Sequence, residues 1–546
     1  MASFLYLSLL ALSSVNAVVI PQTEGAFFLM DASLKQLQDK LTRKCFTSRQ
    51  LTQTYIDRND QVKDTFHAIS EINPDALDIA DRLDGERSHD KGPLYGLPIL
   101  LKDTIATKDK MNNTAGSHAL IGATVKQDSF IAANLRKAGA VLLGKSSMSQ
   151  WHAYRASVNS QGWSAVAGQV VGAYHENQEP AGSSSGSAVA VDLGLVAAAI
   201  GVDTTGSILY PASANNIVGL RPTVGLTSRH LTIPYSETFD TVGPMTRCVE
   251  DAAIVLQAIA GRDDDDALTQ KIPNDGKIPD YVKACHERPL KGSRIGIPWN
   301  FINLVVKSQP SLKPEMKAFN ETIAKLKREG ATVVDTEFLK AEKMIGYQNF
   351  VIGLDFPFNL ESYLAKLETN PNDIRNLRQL RDWTVFSRKL EDYPNRLVDF
   401  WDATLVATQE RGWNNTRKTK AYDEGLDLIK DIADNGGVKT AIEKDRLTAV
   451  IMPTSMTYSC VPYDGSPAIT VPMSAYPADA PVVMNDRKEM VKSGPGVPFG
   501  ISFVGKRFSE PQLIGLAYAY EQLTDVRRKL PRKLHPPTKS FSDAKC

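Results

Sequence analysis

The sequence predicts an α/β fold built on a large parallel or mixed sheet, and three observations carry that expectation. Short apolar runs at residues 97–101, 140–143 and 196–202 have the length of buried strands. Helical patterns lie between them, at 130–138 and 187–193, and each stops at a glycine, Gly139 or Gly194. After a polar interval the alternation resumes with a helix near 314–329, Gly330 as its stop, and a strand at 331–334.

Each element has a local reason. Ser33 with Gln36, and Thr47 with Gln50, fit capping boxes that satisfy the first free N–H groups of a helix. Leu34, Leu37 and Leu41 then recur on one helical face, so these helices read as scaffold outside the sheet. Asp128 is the expected cap of the 130–138 helix. Residues 262–291 are polar and contain Asp263 to Asp266, which reads as a surface connection between two halves; the run lacks the spacing of a calcium loop. Ser509 is expected to cap a last helix ending near residue 523, and the basic tail after Arg528 to be loose.

Of the 546 residues 42% are apolar and 23% charged, and the net charge is +1, which is ordinary globular composition without the basic excess of a nucleic-acid binder. Residues 3–12 are almost wholly apolar and Val15-Asn16-Ala17 has signal-peptidase spacing, which predicts a signal peptide at 1–17. A mature domain at 18–546 is then secreted or held in the secretory-pathway lumen. No apolar stretch has the length of a membrane-spanning helix, so no integral membrane segment is expected after signal removal. Sequons at Asn112, Asn320 and Asn414 agree with a glycoprotein. Five cysteines, Cys45, Cys248, Cys285, Cys460 and Cys546, leave at least one thiol free or paired between chains. There is no CxxC and no His/Cys cluster, so no metal is expected. The oligomeric state stays open, a homodimer included.

Three segments carry chemistry. Gly182-Ser183-Ser184-Ser185-Gly186 precedes a helical pattern and fits G-x-S-x-G, with Ser184 in the place of an esterase nucleophile. That reading needs a strand directly before it, and residues 171–181 do not look like one. Asp203-Thr204-Thr205-Gly206-Ser207 closes a clean apolar run, so a tight turn there can aim several N–H groups at one point beside Ser207. Lys102 ends the run 99–101; burial at a strand end disfavours an ammonium and makes a neutral, basic amine available.

Together the segments resemble the amidase signature family. Gly92-Pro93-Leu94-Tyr95-Gly96-Leu97-Pro98 through Lys102-Asp103 is similar to its lysine motif, and Thr114-Ala115-Gly116-Ser117 to a following block. The Ser/Gly loop, Gly206-Ser207-Ile208, Val218-Gly219-Leu220-Arg221-Pro222-Thr223 and Gly243-Pro244-Met245-Thr246-Arg247 match later blocks, as do Pro467–Pro472 and Pro498-Phe499-Gly500-Ile501. The resemblance covers nearly all of the mature chain. It implies a layered α/β/α fold with a signature core at about 92–252 and a second half at about 290–528.

The resemblance also implies roles. Ser207 is the nucleophile, Ser183 on a cis peptide bond relays its proton, and Lys102 is the base. Thr204, Thr205, Gly206 and Ser207 supply oxyanion N–H groups, and Ser184 and Asp203 support them. A carboxylic amide is then hydrolysed through an acyl-enzyme, without metal or organic cofactor and without a nucleic-acid partner. A catalytically silent or acyl-transferring relative and a Ser184 esterase are the competing readings. Ser185 and Thr205 stand where the family usually has Gly, and Leu209 where it has Arg; Thr205 fits poorly if its turn needs a positive φ. The acyl pocket is expected from residues 340–440, with Phe350, Phe356, Phe358, Tyr363 and Trp383 as candidates for an apolar wall.

Overall fold

The computed structural model describes residues 28–88, 91–287, 290–346, 348–410 and 420–535. The expected signal peptide and the Asn414 sequon lie outside them.

Eleven strands form the main sheet: β1 (Ile69–Ile72), β2 (Pro98–Lys102), β3 (Val141–Ser146), β4 (Ala198–Asp203), β5 (Val218–Arg221), β6 (Thr241–Thr246), β7 (Arg294–Pro298), β8 (Thr332–Thr336), β9 (Ala449–Pro453), β10 (Ala468–Ala475) and β11 (Pro498–Val504). Their order is β1-β3-β2-β4-β6-β5-β10-β11-β9-β7-β8. Strands β2, β3 and β4 run parallel, as do β9, β7 and β8; the remaining pairs are antiparallel, so the sheet is mixed. Strands from residues 69–246 make one flank and those from 294–504 the other. They meet where β5 pairs with β10, Leu220 opposite Ile469.

Helices cover the sheet for reasons visible in the chain. Ser33 and Thr47 form both capping boxes, at the starts of α1 (Leu34–Thr42) and α2 (Ser48–Phe66). Leu34, Leu37 and Leu41 are buried. Strands β2, β3 and β4 are buried along their whole length, which is why they read as unbroken apolar runs. Between β3 and β4 lies α3 (Ser185–Asp192), every residue of which is buried; its small side chains let it sit in the protein interior.

Four expectations are corrected. The helix Phe130–Lys137 is capped by Ser129, whose hydroxyl accepts from the Ala132 N–H; Asp128 instead receives Lys108 N–H and pairs with Arg136. The 262–291 interval is not merely a surface connection. It carries a helix (Tyr281–Glu287) with buried Tyr281, and its Asp266 pairs with Arg229. Ser509 precedes the helix Glu510–Thr524 but makes no side-chain cap. The chain beyond Arg528 stays packed as far as it is described: Arg532 pairs with buried Asp192 at 2.7 Å, and Leu534 N–H donates to the Ala173 carbonyl.

Candidate active site

Parallel neighbours end on the same edge of a sheet. Leu100 lies opposite Ala199 and Leu101 opposite Ile200, so Lys102 at the end of β2 and Asp203 at the end of β4 emerge side by side. Lys102 is fully buried. Its Nζ lies 2.8 Å from Ser183 Oγ and donates to the Val202 carbonyl at 3.2 Å. Burial lowers its pKa to about 7, against the opposing pull of Asp203 and Asp240. The amine is therefore neutral in a large share of molecules near neutral pH.

Ser183 follows a cis Gly182–Ser183 bond and is 1% exposed. The next N–H, of Ser184, donates to the Ser207 carbonyl at 3.2 Å, which ties the serine loop to the turn after β4. Among the described residues Ser207 Oγ makes no hydrogen bond, and the residue is half-buried. The structure thus brings Lys102 and Ser183 into direct contact and places Ser207 beside them through its backbone.

Asp203 shapes the turn. One carboxylate oxygen accepts from Gly206 N–H (2.8 Å) and the other from Ile208 N–H (2.7 Å). Arg221, equally buried, pairs with Asp203 and also donates to the Asp203 and Thr204 carbonyls. The Gly206 N–H is therefore taken. Among the described residues those of Thr204, Thr205 and Ser207 have no acceptor. The positive φ of the turn falls on Gly206 (+115°), while Thr205 keeps a negative φ, so its β-branch is accommodated. Leu209 is buried at the start of the next helix. Ser185, the other departure, donates from its hydroxyl to the Ala181 carbonyl at 2.6 Å.

Ser184 is fully buried, and its hydroxyl donates to the Val202 carbonyl at 3.2 Å. No strand precedes it over residues 171–181. The strand that an esterase elbow at Ser184 would need is thus missing from the described residues before it, and its hydroxyl is committed to the Val202 carbonyl.

Sequence reasoning missed several supports. Thr204 donates from its hydroxyl to Asp240, whose other oxygen accepts the Tyr235 and Ser236 N–H groups. Asp103, its pKa raised to about 6 by burial, accepts from the Thr114 hydroxyl and the Thr114 and Gly116 N–H groups. Fully buried Lys145 is committed to the Ile105 carbonyl and the Asn113 side chain. Glu391 accepts from the Ser117 hydroxyl, the His118 N–H, the Gln150 amide and Arg155. Residue type alone gives no signal for these roles, because burial and partners are set by the fold.

Of the aromatics proposed for an apolar wall, Phe356 packs edge-on against Tyr154 and Tyr235, and Phe400 joins Tyr154. Tyr363 lines a cavity of about 250 Å³ together with Asp240. Phe350 and Trp383 pack against the core, and Phe358 is half-buried. Among the described residues no His/Cys/Asp/Glu group could hold a metal ion, and no helix is long and apolar enough to cross a membrane.

The Amidase family description matches residues 50–514. The chain belongs to the amidase family. A protein of Arthroderma benhamiae named as an amidase is 44% identical over 96% of this chain and 90% of its own length. The crystal structure of native peptide amidase from Stenotrophomonas maltophilia is 34% identical, covers 93% of this chain and 99% of that one, and superposes with a TM-score of 0.79. An amidase family protein of Bacillus anthracis, at 29% identity, gives 0.79 over 94% and 93%. The mixed eleven-stranded sheet is the fold of these amidases, and the chain is a carbon–nitrogen hydrolase that cleaves carboxylic amides.

Proposed function

We propose that amide hydrolysis runs through a Ser207–Ser183–Lys102 relay. The observation that carries it is the 2.8 Å contact between a buried, readily neutral Lys102 and Ser183, beside a turn ordered by Asp203. Ser207 gives its proton to Ser183, which passes its own to Lys102, and Ser207 Oγ bonds to the amide carbon. The oxyanion meets the N–H groups of the turn. The proton returns along the relay to the leaving nitrogen, because an amine leaves poorly unprotonated. Water then releases the acid from Ser207.

The Tyr154, Tyr235, Phe356 and Phe400 cluster supports an apolar or aromatic acyl group, and the likeness to peptide amidase makes peptidyl amides the first substrates to assay. The test is fluorophosphonate labelling and peptide-amide turnover in Ser207→Ala and Ser184→Ala. Loss of both in Ser207→Ala with labelling kept in Ser184→Ala is expected. Full turnover in Ser207→Ala refutes the assignment.

The chain is read as a secreted glycoprotein. The leader composition supports this, as does the disulfide that holds Cys45, since such bonds persist in oxidising compartments. Asn320 is an exposed acceptor, whereas the Asn112 side chain is engaged by Glu71 and Gly122. Peptide mapping of secreted protein for glycan at Asn320 tests this. Exposed Phe386, Leu390 and Leu397 are apolar surface that a homodimer would cover, which sedimentation decides.

A further inference from the structure

A cavity of about 90 Å³ lies against the turn that carries Ser207, and the relay does not use it. Its wall includes Glu179, Ala181, Tyr210, Gln309 and Glu315. Ala181 is two residues before Ser183, so their Cα atoms lie within about 7 Å of each other. Tyr210 N–H donates to the Gly206 carbonyl at 2.7 Å. Gln309 donates from its amide to the Tyr458 hydroxyl at 3.2 Å, and Tyr458 borders Gly206. The cavity is thus fastened to the Ser207 turn on two sides and to the relay serine on a third.

Two carboxylates line this space, and neither has a cation. Glu315 is 3% exposed, and its oxygens accept the Ser455 and Tyr476 hydroxyls, each at 2.6 Å. Glu179 is 6% exposed, and its Oε1 accepts the Gln161 N–H at 2.9 Å and the Asn485 amide at 3.0 Å. Glu179 Oε2 has no partner among the described residues, yet it is not sealed off, so it is the open acceptor of the cavity. Lys492 on the rim is exposed and, among the described residues, forms an ion pair with neither acid. Buried charges are ordinarily paired, and here only hydroxyls and amides do the solvating. Burial accordingly raises the pKa of both acids.

Buried acids without a counter-charge, set against the nucleophile turn, call for a cation brought by the substrate. We propose that Glu179 and Glu315 form a subsite for a protonated primary amine, and that Glu179, through Oε2, sets a preference for amides that carry a free amino group. The proposal rests on the relay reading, which puts the scissile carboxamide at Ser207. An ammonium offers three N–H donors, of which one meets Glu179 Oε2, and the charge of Glu315 adds to the attraction. No covalent bond forms there and no proton of the relay passes through it. N-acetylation of the same amine removes the charge and two of the three donors.

The test follows kcat/KM at pH 7 for phenylalaninamide, glycyl-phenylalaninamide and diglycyl-phenylalaninamide, each beside its N-acetyl form, with thermal melting of each variant. At that pH an α-amine, of ordinary pKa about 7.7–8.0, is mostly protonated. The wild type is expected to favour the free amine by roughly tenfold at one or more of these lengths. The gain should fall chiefly on KM, since the ammonium is held alike before and during attack. Glu179→Gln keeps the shape and an acceptor for the Gln161 N–H but removes the charge, and should bring the ratio of free to acetylated rates to within about twofold of one. A wild-type ratio below about twofold at every length overturns the proposal. So does a Glu179→Gln variant that slows both forms alike and keeps the ratio, which is what a purely structural role predicts. Should Glu179→Gln not melt as a folded protein, Glu315→Gln takes its place and must lower the ratio; an unchanged ratio there also overturns the proposal. Ser207→Ala must abolish turnover of both forms, and turnover that survives it counts against the relay reading rather than this one.

Discussion

Lys102 offers the most direct test of the chemistry. Its pKa of about 7 comes from burial, partly offset by Asp203 and Asp240. If the neutral amine is the base, kcat/KM follows its fraction: about a tenth of the plateau at pH 6, half at pH 7 and about nine-tenths at pH 8. A lysine at its ordinary value of about 10.4 would instead give roughly a tenfold climb per unit through pH 9. Asp103 and Asp240 titrate near pH 6, so the informative limb lies above about pH 6.5. Stability reports on the same group without any turnover. The folded pKa lies below the unfolded one, so the fold disfavours the ammonium. That cost is full below about pH 7 and is relieved as pH rises toward the unfolded value. Lys102→Met removes it, so the variant should gain on the wild type, and gain about 2–3 kcal/mol more at pH 6 than at pH 9 in urea denaturation. A gain independent of pH, together with a rate that never levels off by pH 9.5, refutes the reasoning.

Other perturbations have worked signs. Asp240→Asn removes a charge that raises the Lys102 pKa, so the midpoint of the kcat/KM profile should move to lower pH; an upward shift contradicts the assigned field. Arg221→Met leaves Asp203 buried and uncompensated, and should destabilise by about 3–5 kcal/mol in urea titration. Gly206→Ala has room, since the nearest atom to the added carbon is 3.4 Å away, but it must hold φ at +115°. A cost of about 1–3 kcal/mol is expected, with kcat falling more than KM changes. Glu391→Ala should destabilise by about 3–5 kcal/mol and speed amide exchange around residues 117–118 and 150–155.

The strands under the site were legible because burial on both faces leaves an unbroken apolar run, and Lys102 stood out as the charge ending one of them. Caps were less legible: Asp128 and Ser129 are both competent, and the choice was made by Arg136 and Lys108, which hold the aspartate. Thr205 looked strained only because the location of the positive φ within Thr-Thr-Gly-Ser is not written in the residue types. Arg221, Asp240 and Glu391 escaped notice because their meaning lies in partners on other elements; Glu391 is 274 residues from Ser117.

On the proposed relay, the two flanks of the sheet contribute unequally to the enzyme. The proposed relay residues Lys102, Ser183 and Ser207 all belong to the segment before residue 247, while the later segment adds Phe356 and Phe400 to the Tyr154–Tyr235 cluster and brings Tyr458 against Gly206. Drift in the later segment can therefore retune which molecules are admitted while the cutting tool is left as it is, so descendants of one ancestor can diversify their diet without reinventing their chemistry.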